Sequence, residues 1–281
     1  MTSIQTLLHN AADSLRALPH ANPELEAAIL LCHLLDKPRS HLYAWPEKQL
    51  SGGQAAEFQR LLQRRLNGEP IAHITGIREF WSLALKVTPD TLIPRPETEL
   101  LVELALAHLK PQPTTLIADL GTGSGAIALA LASECPLCTI HASDLSGKAL
   151  AVARENAARL ALGNIRFFQG VWFEALPSDA RYDLILSNPP YIRQADPHLL
   201  QGDLPFEPAT ALTAGAEGLD DIRRIIRGAP GRLKSGGRLL VEHGMDQGAE
   251  VRGIFRRGGL MAIQTHRDLA DHERITEGKL G

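Results

Sequence analysis

Tyr182-Asp183-Leu184-Ile185-Leu186-Ser187-Asn188-Pro189-Pro190-Tyr191 decides the fold. The first six residues are an apolar run of strand length, which predicts a buried strand. Asn188-Pro189-Pro190-Tyr191 then follows at the strand's carboxyl end, and in open α/β sheets that edge is where ligands bind. Each proline pushes the residue before it toward extended backbone, which favours a loop over a continuing helix. Neither proline has an N–H and both have a fixed φ, so Pro189 can offer a bare carbonyl in a rigid frame. Asn188 adds a side-chain carbonyl acceptor and an NH2 donor, and Tyr191 a flat apolar face with a polar tip. Two acceptors beside a planar wall match a planar NH2 group, as on an amide or an exocyclic base amine. A loop that merely ends a strand is the plain alternative, and the glycine-rich loop upstream weighs against it.

Outward from this strand the pattern repeats. Leu116 to Leu120, Thr139 to Ser143 and Ile165 to Phe168 read as strands. Ala126 to Ala132 and about Lys148 to Leu160 read as the helices between them. Downstream, Ile222, Ile225, Ile226, Ala229 and Leu233 form the stripe of a further helix. Gly236-Gly237 then opens a fifth strand, Arg238 to Glu242, and Leu260 to Thr265 with Arg274 to Thr276 read as two closing strands. Strands alternating with helices mark an α/β fold whose sheet is covered on both faces.

Upstream the character changes. Ile4, Leu7, Leu8, Ala11, Leu15 and Leu18 follow helical spacing, a second helix starts at Pro23 after Asn22, and a third runs from about Gln54 to Leu66. Residues 1–69 are therefore expected to be a helical domain that recognises a partner and has no chemistry of its own. Leu50-Ser51-Gly52-Gly53-Gln54 spells the signature loop of ABC transporter ATPases, but the Gly-x-x-x-x-Gly-Lys-[Ser/Thr] loop that reading needs is missing from the chain. A turn preceding a helix is the expectation there. Residues 70–92 read as a connector in which Ile71 to Gly76 pairs with Glu79 to Leu83 as a hairpin. Residues 93–281 form the remaining domain and begin with Ile93-Pro94-Arg95-Pro96-Glu97-Thr98-Glu99. Acids there suit a helix N-terminus, and Arg95 between prolines presents its guanidinium in a fixed direction.

The chain's 281 residues and 44% apolar content support a real core. No run of about 18 apolar residues could span a bilayer, and Met1 to Gln5 does not resemble a signal peptide. Three cysteines, Cys32, Cys135 and Cys138, argue against a disulfide framework and for the cytoplasm. Residues 1–92 carry nine basic and nine acidic side chains, residues 93–281 carry 20 and 23. Neither part is a basic surface of the kind that tracks nucleic acid. Cys135-Pro136-Leu137-Cys138 has redox spacing but falls between a helix and a strand, away from a helix N-terminus that would favour thiolate. No metal site is expected, and Asp268, His272 and Arg274 are expected on a solvated face.

Asp119-Leu120-Gly121-Thr122-Gly123-Ser124-Gly125 joins the first strand of the alternation to its helix. Its glycines allow a sharp turn and close ligand approach. Asp144 follows the second strand and could take both hydroxyls of a ribose, in NAD or in S-adenosylmethionine alike. The loop by itself does not choose between these cofactors. Asn188 to Tyr191 does, because hydride transfer has no use for two acceptors around an NH2 group, whereas methyl transfer to nitrogen has.

With both motifs present, the chain resembles the class I S-adenosylmethionine-dependent N-methyltransferases, and within them the release factor glutamine methyltransferases. The matching pieces are Ala72 to Gly76, Arg95 to Glu99, Gly121 to Gly125, Asn188 to Ile192, Phe206-Glu207-Pro208, Gly218-Leu219 and Glu242-His243-Gly244. The resemblance implies a helical N-terminal domain, a β-hairpin connector and a seven-stranded Rossmann-like methyltransferase domain. It implies methylation of the glutamine amide in the Gly-Gly-Gln motif of bacterial peptide chain release factors, with no direct DNA binding and no membrane. It also implies site roles. Gly121, Thr122, Gly123, Ser124 and Gly125 would line the methionine part of the cofactor, Asp144 would hold the ribose, and Trp172 would border the adenine. Asn188, Pro189, Pro190 and Tyr191 would bind the glutamine amide.

Two other functions remain to be weighed against this one. An adenine-N6 nucleic-acid methyltransferase meets the same planar NH2, but needs base flipping and a cationic track. A non-catalytic adaptor with a vestigial cofactor site is disfavoured by the intact glycine loop and Asn188. Arg95 and Glu207 could close over a substrate, although Glu207 could equally make a structural hydrogen bond. Trp172 could equally be an ordinary core tryptophan.

Overall fold

The computed structural model describes residues 2–19, 21–109 and 112–281. The chain divides into two compact units, one of residues up to Ile77 with Pro197–Phe206, the other of Arg78–Asp196 with Glu207–Gly281.

In the first unit, α1 (Ile4–Leu15), α2 (Pro23–Leu35), α3 (Arg39–Ala44), α4 (Gly52–Leu66) and α5 (Ile71–Thr75) pack around Ile4, Leu15, Leu30, Leu31 and Phe58. Three helices start on side chains that satisfy orphan backbone donors. Ser3 caps α1, Asn22 caps α2 with Pro23 just inside, and Ser51 and Gln54 form a reciprocal capping box on α4. The Ser-Gly-Gly-Gln stretch is thus a helix start. Arg65, almost fully buried, reaches the Glu26 carboxylate at 2.8 Å, the Glu69 carbonyl at 3.2 Å and Asp203 at 3.4 Å.

One expectation fails here. Ile71 to Gly76 is not a strand of the hairpin; it is α5, whose first turn hangs on the Pro70 carbonyl and which Gly76 ends with a left-handed φ of 72°. The hairpin follows as β1 (Ile77–Phe80) and β2 (Leu83–Lys86). It is tied down by the Trp81 N–H on Glu99 at 2.9 Å and by Asn156, which both donates to and accepts from the Lys86 backbone.

In the second unit, α6 (Glu99–His108) leads into β3 (Leu116–Leu120), α7 (Ala126–Glu134), β4 (Thr139–Asp144), α8 (Gly147–Arg159), β5 (Ile165–Gln169) and β6 (Tyr182–Ser187). Then come α9 (Asp220–Gly228), β7 (Leu233–Glu242), α10 (Gly248–Arg257), β8 (Met261–Arg267) and β9 (Glu273–Lys279). The seven-stranded sheet has the order β5-β4-β3-β6-β7-β9-β8, parallel except for β9, which runs antiparallel to β7 and β8. Side chains alternate across each strand. Ile117, Leu184, Leu186 and Leu240 therefore join α6 and α7 in one core, and Ala118, Ile185, Leu239 and Val241 join α9 and α10 in the other.

Three details depart from the sequence reading. Leu233 starts β7 and does not extend the preceding helix, because Pro230 and Gly231 sit in a 3-10 turn that breaks it. Gly236-Gly237 accordingly lies inside β7 and does not open it. Nor do Asp268, His272 and Arg274 form a solvated face, since only His272 is exposed. The Asp268 carboxylate accepts the N–H groups of Ala270 and His272 and the Arg274 guanidinium, so it builds the β8–β9 turn. No helix of the described residues is long and apolar enough to cross a membrane.

Candidate active site

β3 pairs with β4 on one side and β6 on the other, so the chain leaves the sheet centre in two directions. Such a switch point opens a crevice beyond the strands' carboxyl ends. Leu120 stands beside Ser187 in register, and the Ser187 hydroxyl donates to the Leu120 carbonyl at 2.7 Å. The loops after these residues, Gly121 to Gly125 and Asn188 to Tyr191, therefore emerge side by side.

The glycine loop folds back on β4. The N–H groups of Gly121 and Thr122 both donate to the Ser143 carbonyl, at 2.8 and 2.9 Å. Gly121 and Gly123 have left-handed φ angles of 75° and 56°, a region closed to most side chains. A Cβ on Gly121 would lie 3.1 Å from the Trp172 ring, whereas one on Gly123 would meet no protein atom and would project into open space. Asp144 binds the Gly123 N–H through Oδ2 and the Ser146 N–H through Oδ1, each at 2.8 Å. A carboxylate has about four acceptor positions, so each oxygen retains one. Burial raises the Asp144 pKa against these two bonds.

A cavity of ≈ 380 Å³ lies between the loops, and Gly121, Gly123, Asp144, Trp172, Asn188 and Pro190 are among its walls. Thr122, Ser124 and Gly125, expected to line the cofactor as well, are not among its walls. The Thr122 hydroxyl donates to Asp119 at 2.6 Å, and the Ser124 carbonyl accepts from Asn156 at 3.0 Å. Trp172 is half-buried with a left-handed φ of 46°, and its Nε1 donates to Asp221 at 3.2 Å. It is a cavity wall as well as a core residue. Strain of this kind in a non-glycine residue persists where the surroundings over-determine it, commonly at functional sites.

Asn188 is half-buried, and its Nδ2 donates to the Thr98 hydroxyl at 3.0 Å. Its carbonyl end is thus left for a guest. Pro189 is buried. Tyr191 turns its hydroxyl to Glu242 at 3.3 Å, and burial holds its pKa well above the usual range. Arg95 is held by an ion pair with Glu207, and Glu207 also accepts the Ile93 N–H at 3.1 Å, so Glu207 does make a structural bond. Cys135 and Cys138 are buried free thiols, and burial pushes Cys138 up to about 12, far from a redox thiolate.

Sequence reasoning missed several neighbours. Asp90, Leu145, Asp221 and Arg224 line the cavity, and exposed Leu145 directly after Asp144 is the only one with a local sign. Electrostatics narrows the ligand. The cavity wall carries three carboxylates, Asp90, Asp144 and Asp221, against Arg224. Beneath it, Asp119 is fully buried and pushed up to about 7 by that burial, and its Oδ1 has no partner. An acidic wall suits a cationic ligand. It would repel the pyrophosphate of a dinucleotide, whereas S-adenosylmethionine, with its sulfonium and ammonium groups, fits.

Residues 6–76 match the family model described as PrmC N-terminal domain, and residues 97–203 match the methyltransferase small domain. A protein of Vibrio cholerae named release factor glutamine methyltransferase is 52% identical over 277 residues, covering 99% of this chain and 96% of its own. Its namesake in Aliivibrio fischeri is 48% identical over 277 residues, covering 99% and 97%. Among solved structures, a methyltransferase from Pyrococcus furiosus superposes with a TM-score of 0.55 at 15% identity, covering 79% of this chain and 99% of that one. That likeness speaks for the fold alone.

Proposed function

The chain belongs to the release factor glutamine methyltransferase family, and on that premise we propose that it methylates the side-chain amide nitrogen of the glutamine in the Gly-Gly-Gln motif of peptide chain release factors, in the cytoplasm. The observation that carries this reading is the Asn188 carboxamide. Its nitrogen is committed to Thr98, and its oxygen is left beside a cavity whose charge suits a sulfonium ligand.

S-adenosylmethionine, when bound, supplies an electrophilic methyl group on sulfur. Gly121 and Gly123 would admit its methionine part against the main chain, while Thr122, Ser124 and Gly125 shape the turn behind. Asp144 would hold the ribose hydroxyls with its free acceptor positions, and Trp172 would border the adenine. Residues 1–69 would recognise the release factor, residues 70–92 would connect, and residues 93–281 would carry the chemistry.

An amide nitrogen is a poor nucleophile because its lone pair is delocalised. The rotation barrier of about 18–20 kcal/mol is a ceiling on losing that delocalisation entirely. Asn188 Oδ1 and the Pro189 carbonyl would accept the two N–H groups of the substrate amide, with Pro190 and Tyr191 completing the rigid wall. That grip aims the nitrogen and disperses its growing positive charge. Orientation contributes about 7–11 kcal/mol and fixed dipoles about 3–4 kcal/mol. No base is required before attack, since the amide proton can leave to solvent afterwards.

The test is turnover with labelled cofactor and either a release factor or duplex DNA, followed by mass spectrometry of the Gly-Gly-Gln peptide. A methylated glutamine is expected, and Asn188→Ala should lower kcat by about 10²–10³-fold, as loss of one oriented transition-state dipole does. Cofactor affinity should change little. Turnover of the variant within a few-fold of wild type, or label in the DNA alone, would overturn the assignment.

A further inference from the structure

The order of the sheet also orders the cofactor. Along the carboxyl edge the neighbouring strands are β6, β3, β4 and β5. The amide grip at Asn188 follows β6, the glycine turn follows β3, and Asp144 ends β4. A ligand that turns its methyl group to Asn188 and its ribose to Asp144 therefore delivers its base past β5. The loop there is Gly170-Val171-Trp172, and all three residues line the cavity. The Trp172 indole is held by the bond from Nε1 to Asp221 Oδ1 at 3.2 Å, on a backbone with a φ of 46°.

Asp221 has capacity beyond that bond. It lies in the first turn of α9, is half-buried, and is itself a wall of the cavity. A carboxylate has about four acceptor positions. The Trp172 bond takes one of them on Oδ1, and among the described residues no other hydrogen bond reaches this carboxylate. Burial raises the Asp221 pKa, and the Trp172 bond opposes that rise. Arg224, one turn along α9 on the same wall, is exposed and acts on Asp221 through its charge. A carboxylate fixed at one oxygen, with the other to spare beside a cavity, is short of a donor. Adenine brings one in its exocyclic amine, where a 6-oxo purine shows an acceptor.

We infer that Asp221 is a specificity-determining residue of the cofactor site: its Oδ2 accepts the exocyclic amine of adenine while its Oδ1 holds Trp172 beside the base. An aromatic face by itself takes any base, since every base has a π-face. The carboxylate at its edge supplies the choice. A 6-oxo purine would set two acceptors against each other there and leave the carboxylate unpaired. The inference rests on S-adenosylmethionine being the cofactor.

The experiment is titration calorimetry on the full chain with two probes, S-adenosylhomocysteine and its analogue in which hydrogen replaces the 6-amino group. The analogue keeps the ring, the ribose and the amino acid and lacks only the donor. Wild type should prefer S-adenosylhomocysteine by about 10- to 150-fold, the range for one hydrogen bond to a charged group. Asp221→Asn has a single acceptor end, which can serve the indole N–H or the amine but not both. It should bring the ratio of affinities to within a few-fold of one, with the loss falling on S-adenosylhomocysteine, since coupled groups are not additive. Trp172→Phe keeps a ring and removes the Nε1–H; it should weaken both probes and leave the ratio at its wild-type value. A wild-type ratio near one overturns the inference. So does an Asp221→Asn variant that weakens both probes equally, because the carboxylate is then only a support for Trp172. Either result leaves the parent reading standing, whereas a wild-type chain that binds neither probe overturns the parent reading instead. Should Asp221→Asn melt early, the same ratio read on Asp221→Ala decides.

Discussion

Gly123→Ala tests the cofactor cradle more sharply than removal of a charge would. Gly123 has a φ of 56°, and a Cβ built there meets nothing within 4 Å. The new methyl group therefore clashes with no part of the protein. Its cost to stability is the left-handed backbone alone, about 1–2 kcal/mol, partly offset by about 0.4–1 kcal/mol from a stiffer unfolded chain. A fall in Tm of about 2–4 °C should follow for a unit of this size. Gly259 is the matched control, with a φ of 79°, again nothing within 4 Å of a Cβ, and a place after α10 away from the cavity wall. The two variants should melt alike. They should differ in calorimetric binding of S-adenosylmethionine or S-adenosylhomocysteine. Gly259→Ala keeps wild-type affinity, whereas Gly123→Ala loses about 5- to 150-fold, from the roughly 1–3 kcal/mol that overpacking a fitted site costs. Equal affinities for the two variants would refute the idea that a ligand lies against Gly123.

Asp119 provides a pH test. Burial raises its pKa from 3.8 to about 7, so the native state holds the proton more tightly than the unfolded chain, and stability declines as pH rises from about 4 to 7. Asp119→Asn mimics the protonated acid and removes that decline. Relative to wild type it should gain up to about 4 kcal/mol between pH 4 and pH 8 in urea unfolding, and a pH-independent difference would show ordinary titration. In the helical unit, Arg65→Ala leaves the mostly buried Glu26 without its cation, and should cost about 1–3 kcal/mol, read as an earlier helical transition by scanning calorimetry. A transition unmoved by the change would show that the ion pair contributes nothing to that unit.

Much of the site could be read directly from the chain, and the reason is local. β3, β4 and β6 begin and end within a residue or so of their apolar runs, because a parallel strand buried on both faces must be largely apolar. The glycine loop and the two prolines mark the ends of β3 and β6 through backbone requirements that no distant contact can supply. Where local preference was balanced, the reading failed. Ile71 to Gly76 has a strand-like composition, yet Pro70 and Gly76 bracket it as a helical turn. α10 went unnoticed because it opens on glycine with no side-chain cap.

Pairings between distant segments left no such trace. Asn188 and Thr98 are 90 residues apart, Tyr191 and Glu242 51, and Trp172 and Asp221 49. Spacing and composition could name a proline-stiffened loop and a glycine turn, since proline and glycine act on their own backbone. Which end of the Asn188 carboxamide faces the cavity, and that the wall around it is acidic, depended on side chains that only the folded sheet brings within hydrogen-bond and Coulomb range.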